Sequence, residues 1–215
     1  MYYLVIFIFT LTIHECAHGY IAYKMGDPTA RNMGRLTLNP IRHIDPIGFI
    51  LLMFFSFGWA KPVMINPRYF KNPKRGMAIS AAAGPLSNLI MAFFGVVIYR
   101  TVAIVVIKNG LFVNTFALSA LDFLSLFAVL NVYFAVFNLI PLPPLDGSRI
   151  VSYMLPRKLG YYYNQIERYG FLILIMLLNA DRVGLNIRGG LGWISTQILS
   201  GIDFILNPIF SLFGG

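Results

Sequence analysis

Three ionisable residues, His14, Glu15 and His18, lie inside the apolar segment that opens the chain. Residues 1–24 are otherwise mostly apolar, and about twenty such residues in a helix are enough to span the hydrocarbon core of a bilayer. Ionisable groups inside a membrane are costly and are usually functional. The rest of the chain must therefore fold so that it surrounds these three side chains with partners. These partners could be a bound ligand or, alternatively, only polar groups of the neighbouring helices.

The spacing of the three residues is typical of a zinc site. On a helix, residues four apart lie on the same face, so His14 and His18 can present two imidazole nitrogens to one ion. Glu15 directly follows the first histidine, as does the general base of H-E-x-x-H metallopeptidases. Cys16 points away from the ligand face, and a single cysteine excludes an intramolecular disulfide. The sequence therefore predicts one Zn²⁺ ion per chain.

The composition places the rest of the chain in a membrane. Of the 215 residues, 58% are hydrophobic and 12% are charged, and the mean hydropathy of +0.71 far exceeds that of soluble domains. The net charge of +9 does not indicate nucleic acid binding, because the basic residues fall in loops between apolar segments. We expect a single domain, residues 1–215, that crosses a plasma membrane several times. No cleaved signal peptide is expected, because no basic region precedes the first apolar segment.

Four or five segments are candidates for membrane-spanning helices. Nine of the seventeen Lys and Arg residues lie between positions 24 and 75. The positive-inside rule places this region in the cytoplasm, so the first span runs from outside to inside. The second and third spans then cross outward and back. The fourth segment is short, and the last could be a span or a surface helix. In order, the segments are 1–24, 76–107, 116–140, 170–180 and 191–213.

The region between the first two spans is predicted to lie at the membrane surface. Segments 31–38 and 62–65 have short strand-like patterns, which favour a small β-sheet or hairpin. Segment 47–58 is apolar but too short to span, which favours a re-entrant or interfacial segment, with Trp59 beside it in the headgroup region. The predicted fold is an all-α polytopic membrane protein. It has four to five spanning helices around an intramembrane zinc site, a small surface sheet and one re-entrant segment.

A proline-rich stretch after the third span supplies an acidic residue. Three prolines between positions 141 and 144 end the helix, and Asp146 follows on irregular backbone at the cytoplasmic side of the membrane. His18 precedes Lys24 by roughly 9 Å of helix, so it also lies toward the cytoplasmic side. The two elements can therefore meet. Two imidazoles, one carboxylate and an open fourth position are the coordination of catalytic zinc.

Two further sets of polar residues are candidates for substrate contacts. Ser80, Gly84 and Asn88 recur every four positions on the second span, in a stripe of small residues that lets helices approach closely. Asn88 is a candidate substrate-binding residue, and close packing alone is the alternative. His43 and Asp45 form an H-x-D pair on a loop. We expect them to have a structural or substrate-positioning role rather than to form a second metal site, because catalytic zinc uses only three protein ligands.

Three motifs extend from the first span to the end of the proline-rich stretch: H-E-C-A-H, A-A-A-G-P-L-S-N and N-L-I-P-L-P-P-L-D-G. Together they resemble the site-2 protease family of intramembrane zinc metalloproteases. The resemblance implies that His14, His18 and Asp146 bind zinc. It also implies that Glu15 is the catalytic base and that Asn138 hydrogen-bonds the substrate carbonyl or its oxyanion.

The same resemblance implies the kind of partner. The family's substrates are membrane-spanning helices of other proteins, which must unwind locally before they are cleaved in the lipid bilayer. Segment 31–38 or 62–65 would then hold the unwound substrate by strand addition. The chain begins directly with the catalytic helix and shows no stretch for a PDZ or CBS domain, so we expect a short form of the family.

Three alternatives remain open from sequence. An inactive relative could hold metal and membrane peptides without cutting them, although the intact Glu15 argues against this. A membrane transporter could use the buried charges as an ion path, but no inverted repeat is evident. An iron oxygenase with two histidines and a carboxylate would leave Glu15 without a task.

Overall fold

The architecture is helical throughout the part of the chain that the computed structural model describes, residues 2–55, 60–111, 114–184 and 186–213. Within these ranges there are nine α-helices, joined by loops and short 3₁₀ helices, and no β-strand. The α-helices are α1 (Tyr2–Lys24), α2 (Thr29–Asn32), α3 (Pro46–Phe55), α4 (Pro73–Lys108), α5 (Thr115–Asn138), α6 (Asp146–Met154), α7 (Arg157–Ile166), α8 (Gly170–Leu178) and α9 (Ile187–Ser211).

Three of these helices, α1, α4 and α5, are long and apolar enough to cross a membrane. Their bounds agree closely with the first three predicted spans, and they indicate a multi-pass membrane protein. The central helix is α4, which packs against α1, α5 and α6. By contrast, α8 has nine residues, and at about 1.5 Å per residue it is too short to cross a bilayer by itself.

The last helix, α9, packs along both α4 and α5. Near its start, Leu191 joins a buried cluster with Ala92 and Val132. Near its end, Leu206 packs against Val96 in a second buried cluster. The helix therefore lies beside two candidate spans for most of its 25 residues, while its own crossing of the membrane stays a prediction.

The predicted surface sheet is wrong for the described residues. Segment 31–38 contains the end of α2 and a turn at Gly34, whose φ of +65° lies in the region that favours glycine. Segment 62–65 is neither helical nor part of a strand ladder, and one isolated antiparallel bridge joins Ile44 to Ala60. Several backbone groups of this loop region bond instead to buried side chains.

The predicted re-entrant segment corresponds in part to α3. This helix has ten residues, which agrees with the expectation that it is too short to span a bilayer. Its position relative to the membrane stays a prediction, and Trp59 lies outside the described residues.

Candidate metal centre

Two buried histidines face each other on one side of α1. His14 is 4% exposed and His18 is 7% exposed, and their Nε2 atoms lie 2.9 Å apart. Their rings are perpendicular, with centroids separated by 4.5 Å. The spacing of four residues along the helix produces this arrangement, as predicted, because it puts both side chains on the same face.

Asp146 completes a group of three side chains that could hold a metal ion. Its Oδ2 atom lies 3.2 Å from the Nε2 atom of His14 and 3.3 Å from that of His18. Among the described residues, these three side chains form the one such group of His, Cys, Asp or Glu. Asp146 is the first residue of α6, so the expectation of irregular backbone at this position is wrong. The stretch of prolines ends α5, as expected, and a new helix begins directly at the carboxylate.

Three atoms that can bind a metal ion converge at this point. The Nδ1 atom of His18 lies 2.7 Å from the carbonyl oxygen of Ser80. Because a carbonyl oxygen can only accept, Nδ1 carries the hydrogen, and the Nε2 atom of a neutral His18 presents a lone pair to His14 and Asp146. The Oδ2 atom of Asp146 is buried and has no hydrogen-bond donor among the described residues. The lone pair of a neutral His18 and this carboxylate oxygen repel each other unless a cation lies between them.

The geometry of the three atoms fits zinc. Zinc ligands at about 2.0–2.2 Å in a tetrahedron are separated from one another by roughly 3.3 Å. The observed separations are 2.9, 3.2 and 3.3 Å. The three side chains could therefore occupy one face of a tetrahedron, with the fourth position left for water or substrate.

The charge state of Asp146 suits a metal ligand. Asp146 is the one acidic side chain in this group of three, which otherwise consists of two imidazoles. Its negative charge would offset part of the charge of a divalent cation.

Small residues let α4 approach the histidines. A Cβ atom added to Gly84 would lie 2.5 Å from the Cε1 atom of His14 and 2.5 Å from the Nε2 atom of His18, closer than real Cβ contacts. The predicted stripe therefore has a definite function in packing at Gly84. One turn earlier on α4, the Ser80 carbonyl fixes the ring of His18.

Glu15 lies next to the two histidines in sequence, but it contacts a different part of the protein. Its side chain is partly buried, and its Oε2 atom accepts a hydrogen bond of 2.8 Å from the backbone N–H of Val63. Val63 belongs to the non-helical segment that precedes α4. The loop between α1 and α4 thus holds one oxygen of the carboxylate.

Comparison with known proteins places this geometry in a family. Residues 2–179 match the family model of peptidase family M50. YwhC of Bacillus subtilis is 44% identical over 82% of this chain and 80% of its own length. The chain belongs to peptidase family M50. This is the site-2 protease family, so the resemblance seen in the sequence is confirmed.

Other M50 relatives are more distant. Rip2 of Mycolicibacterium smegmatis is 28% identical over 80% of this chain and 64% of its own length. The zinc metalloprotease MJ0392 of Methanocaldococcus jannaschii is 27% identical over 71% of this chain and 34% of its own length. YwhC and Rip2 carry provisional zinc-metalloprotease names. No solved structure matches the chain at a significant level. As an M50 peptidase, the protein is a zinc metalloprotease of the site-2 protease type.

The remaining predicted site residues lie outside the group of His14, His18 and Asp146. Asn88 is 1% exposed and its Oδ1 atom has no hydrogen-bond partner among the described residues. Asn138 donates from Nδ2 to the carbonyl of Phe134, 3.0 Å away in its own helix. His43 is 2% exposed, and its Nε2 atom lies 2.8 Å from the carbonyl oxygen of Thr37. Their roles toward substrate stay predictions.

Two contacts of the site were not foreseen from the sequence. They involve the carbonyl of Ser80, which orients His18, and the N–H of Val63, which binds Glu15. Both are backbone groups. Every residue has a carbonyl and every residue except proline has an N–H, so the amino-acid sequence cannot show which of them will contact the site. Gly147, which follows Asp146, could have been noticed in the sequence, because a glycine next to a candidate ligand indicates that the backbone can pack closely there.

Proposed function

We propose that this M50 peptidase is a zinc-dependent intramembrane endopeptidase that cleaves membrane-spanning segments of other proteins. The observation that carries the proposal is the triangle of His14, His18 and Asp146, whose two histidines lie within a candidate membrane span. A ligand set built on such a helix would act on peptide bonds inside or very near the bilayer. The depth of His18 below Lys24 favours a site toward the cytoplasmic side of a plasma membrane.

In this proposal, His14, His18 and Asp146 hold one zinc ion. When bound, zinc polarises the scissile carbonyl group and acidifies the attacking water. The carbonyl of Ser80 keeps His18 in the tautomer that directs Nε2 at the ion, and the fixed rotation of the ring strengthens binding. Asp146 supplies the anionic ligand.

Glu15 acts as general base and then as general acid. Because the N–H of Val63 occupies Oε2, the proton from the water goes to Oε1. Glu15 then delivers this proton to the leaving amine. The hydrogen bond from Val63 keeps the carboxylate in one rotamer, so Oε1 faces the same direction in both steps.

The substrate is a spanning helix that unwinds before it is cleaved. Asn138 at the end of α5 is proposed to hydrogen-bond the substrate carbonyl or its oxyanion. Asn88, with a buried and unpartnered Oδ1 atom in the described structure, is a second candidate for substrate contact. His43 is proposed to hold the shape of the substrate-facing loop through Thr37.

Wild-type protein and a Glu15→Gln variant provide the test. Purified samples are compared for bound metal by mass spectrometry and for cleavage of a model spanning peptide in detergent or vesicles. We expect one zinc per chain in both proteins and cleavage only by wild type. Glu167→Gln is the matched control, because Glu167 pairs with Arg149 at the surface. Equal cleavage by wild type and Glu15→Gln would overturn the proposal.

The same measurements separate the alternatives. A metal-binding relative without activity would carry zinc in both proteins and cleave with neither. Iron in place of zinc would favour oxygenase chemistry. A single pair of samples therefore decides between three classes of function.

A further inference from the structure

We propose that Arg35 is a positioning residue for Glu15, and that it acts through the peptide bond between Pro62 and Val63. The inference rests on the proposed role of Glu15 as catalytic base. It concerns a side chain on the loop between α1 and α4, which lies outside the group of metal-binding residues.

Arg35 is a buried cation that binds backbone carbonyls. It is 6% exposed, and its guanidinium donates to the carbonyl oxygens of Arg42, Lys61 and Pro62, the last at 3.2 Å. None of the ion pairs found among the described residues includes Arg35. A buried guanidinium is costly unless its donors are satisfied, and its planar fork suits several acceptors at fixed angles. Such a residue specifies the shape of the loop rather than forming an ion pair.

The contact with Pro62 connects Arg35 to the active site. The carbonyl of Pro62 accepts from Arg35, while the N–H of the same peptide unit, at Val63, donates to Glu15 at 2.8 Å. In a trans peptide these two groups point in opposite directions. The peptide unit therefore lies between a guanidinium and a carboxylate. The positive charge on one side strengthens the N–H donor on the other, because hydrogen bonds in series polarise each other.

Segment 60–66, which contains this peptide, is held at its other end by a buried acid. Asp27 is fully buried, and its Oδ2 atom accepts the N–H of Asn66 at 2.7 Å. The side chain of Val63 is also buried, and it packs so closely on α1 that a Cβ atom on Gly19 would lie 3.1 Å from its Cγ1 atom. Loss of Arg35 would therefore leave segment 60–66 attached near Asn66 and loosen it beside Glu15.

The expected consequence is a specific loss of catalytic rate. Without Arg35 the carboxylate of Glu15 loses a fixed donor and samples other rotamers, so fewer enzyme molecules have the base in place. The metal ligands lie on α1 and α6 and are untouched. We therefore expect kcat to fall while KM and zinc content stay near wild type.

Arg35→Gln and Arg35→Lys test the inference. Arg42→Gln is the matched control on the same loop, because the side chain of Arg42 is exposed and Arg42 contacts Arg35 through its backbone carbonyl, which the substitution keeps. Loss of a charge-assisted contact predicts a fall in kcat of about tenfold or more for Arg35→Gln. Arg35→Lys keeps the charge without the fork, so it recovers part of the rate. Arg42→Gln has wild-type kinetics. An unchanged kcat for Arg35→Gln, or a loss of bound zinc in that variant, would overturn the inference.

A double-mutant cycle with Glu15→Asp distinguishes positioning from general support of the fold. The shorter aspartate cannot reach Val63 in the same way, so adding Arg35→Gln should cost less than about threefold in the residual rate. The same tenfold loss in both backgrounds would contradict an action through Glu15.

Hydrogen exchange at the amide of Val63 gives a readout that does not need activity. Exchange should accelerate in both Arg35→Gln and Glu15→Gln, and not in Arg42→Gln. Unaltered exchange at Val63 in Arg35→Gln would overturn the inference, whatever the catalytic rate of that variant. If wild type and Glu15→Gln cleave equally while exchange accelerates as expected, the proposed function fails and the structural link from Arg35 to Glu15 stands.

Discussion

The Nε2 atoms of His14 and His18 lie 2.9 Å apart, and the Oδ2 atom of Asp146 lies within 3.3 Å of both. This Oδ2 atom is buried, and no described group donates a hydrogen bond to it. A bound cation would offset the negative charge of the carboxylate. We predict that Asp146→Asn, which keeps the shape of the side chain and removes its charge, weakens zinc binding by more than about 100-fold, beyond the loss typical of residues that only orient a ligand.

The measurement is zinc retained after dialysis against a graded series of chelator concentrations. Asp122→Asn is the control, because it makes the same chemical change at an exposed position of α5. If Asp146→Asn retains zinc as tightly as wild type, Asp146 is not a ligand.

A second prediction concerns Gly84, which lets α4 pack against both imidazoles. Gly84→Ala places a Cβ atom within 2.5 Å of both His14 and His18, so the rings or the helix must move. We expect lower zinc affinity and at least about a tenfold loss of cleavage, because small displacements at a catalytic site are costly. Gly201→Ala, in an open part of α9, is the matched control and should behave as wild type.

Whether a contact of this site could be predicted depends on whether side-chain atoms or backbone atoms form it. The closeness of His14 and His18 was foreseen because two side chains four residues apart in a helix must share a face. The bounds of α4 and α5 followed from the lengths of apolar segments. The carbonyl of Ser80 and the N–H of Val63 could not be foreseen, since their contacts depend on the packing of elements distant in sequence.

The failure of the surface sheet has a similar cause. Segments 31–38 and 62–65 have short strand-like patterns, but a local pattern contains no information on which groups will satisfy the backbone. Buried Asp27 and Arg35 bind backbone groups of 61–66 that a neighbouring strand would otherwise have paired. The loop keeps a fixed shape without a ladder, and the pattern alone overestimates the sheet.

A third prediction concerns Gly147, the residue after the proposed ligand Asp146. A Cβ atom here would lie 2.5 Å from the carbonyl oxygen of Ile140 and would also meet the backbone of Leu139. Backbone cannot yield as a flexible side chain does, so Gly147→Ala should displace the start of α6. We expect a larger loss of bound zinc than in Gly84→Ala, and a destabilisation of about 1–3 kcal/mol in thermal unfolding.

Gly160→Ala is the control for this variant, because the nearest atoms to a Cβ atom at that position are 3.9 Å away. Normal zinc content in Gly147→Ala would show that α6 can shift without moving Asp146 from the two histidines.

The pairing of Arg100 with Asp203 bears on whether α9 crosses the membrane. The guanidinium of Arg100, on α4, lies 2.9 Å from the carboxylate of Asp203 and donates to Asn207 at 2.7 Å. Charged groups on apolar helices are placed against one another because each is costly alone in lipid. The pair lies toward the end of α4 that the positive-inside rule places outside. Leu191 packs nearer the end of α5 that is predicted to be cytoplasmic, so α9 is predicted to run from inside to outside, parallel to α4.

We therefore predict that Ser211, exposed at the end of α9, is external. In a Cys16→Ser background, Ser211→Cys should react with a membrane-impermeant maleimide added to intact cells. A cysteine in place of Ser152, which the same topology places on the cytoplasmic side, should react only after the cells are opened. This direction follows from helix packing, because Leu191 joins the cluster of Ala92 and Val136, whereas Asp203 pairs with Arg100, about two turns further along α4. Labelling of Ser211→Cys only in opened cells would show instead that α9 does not cross the bilayer.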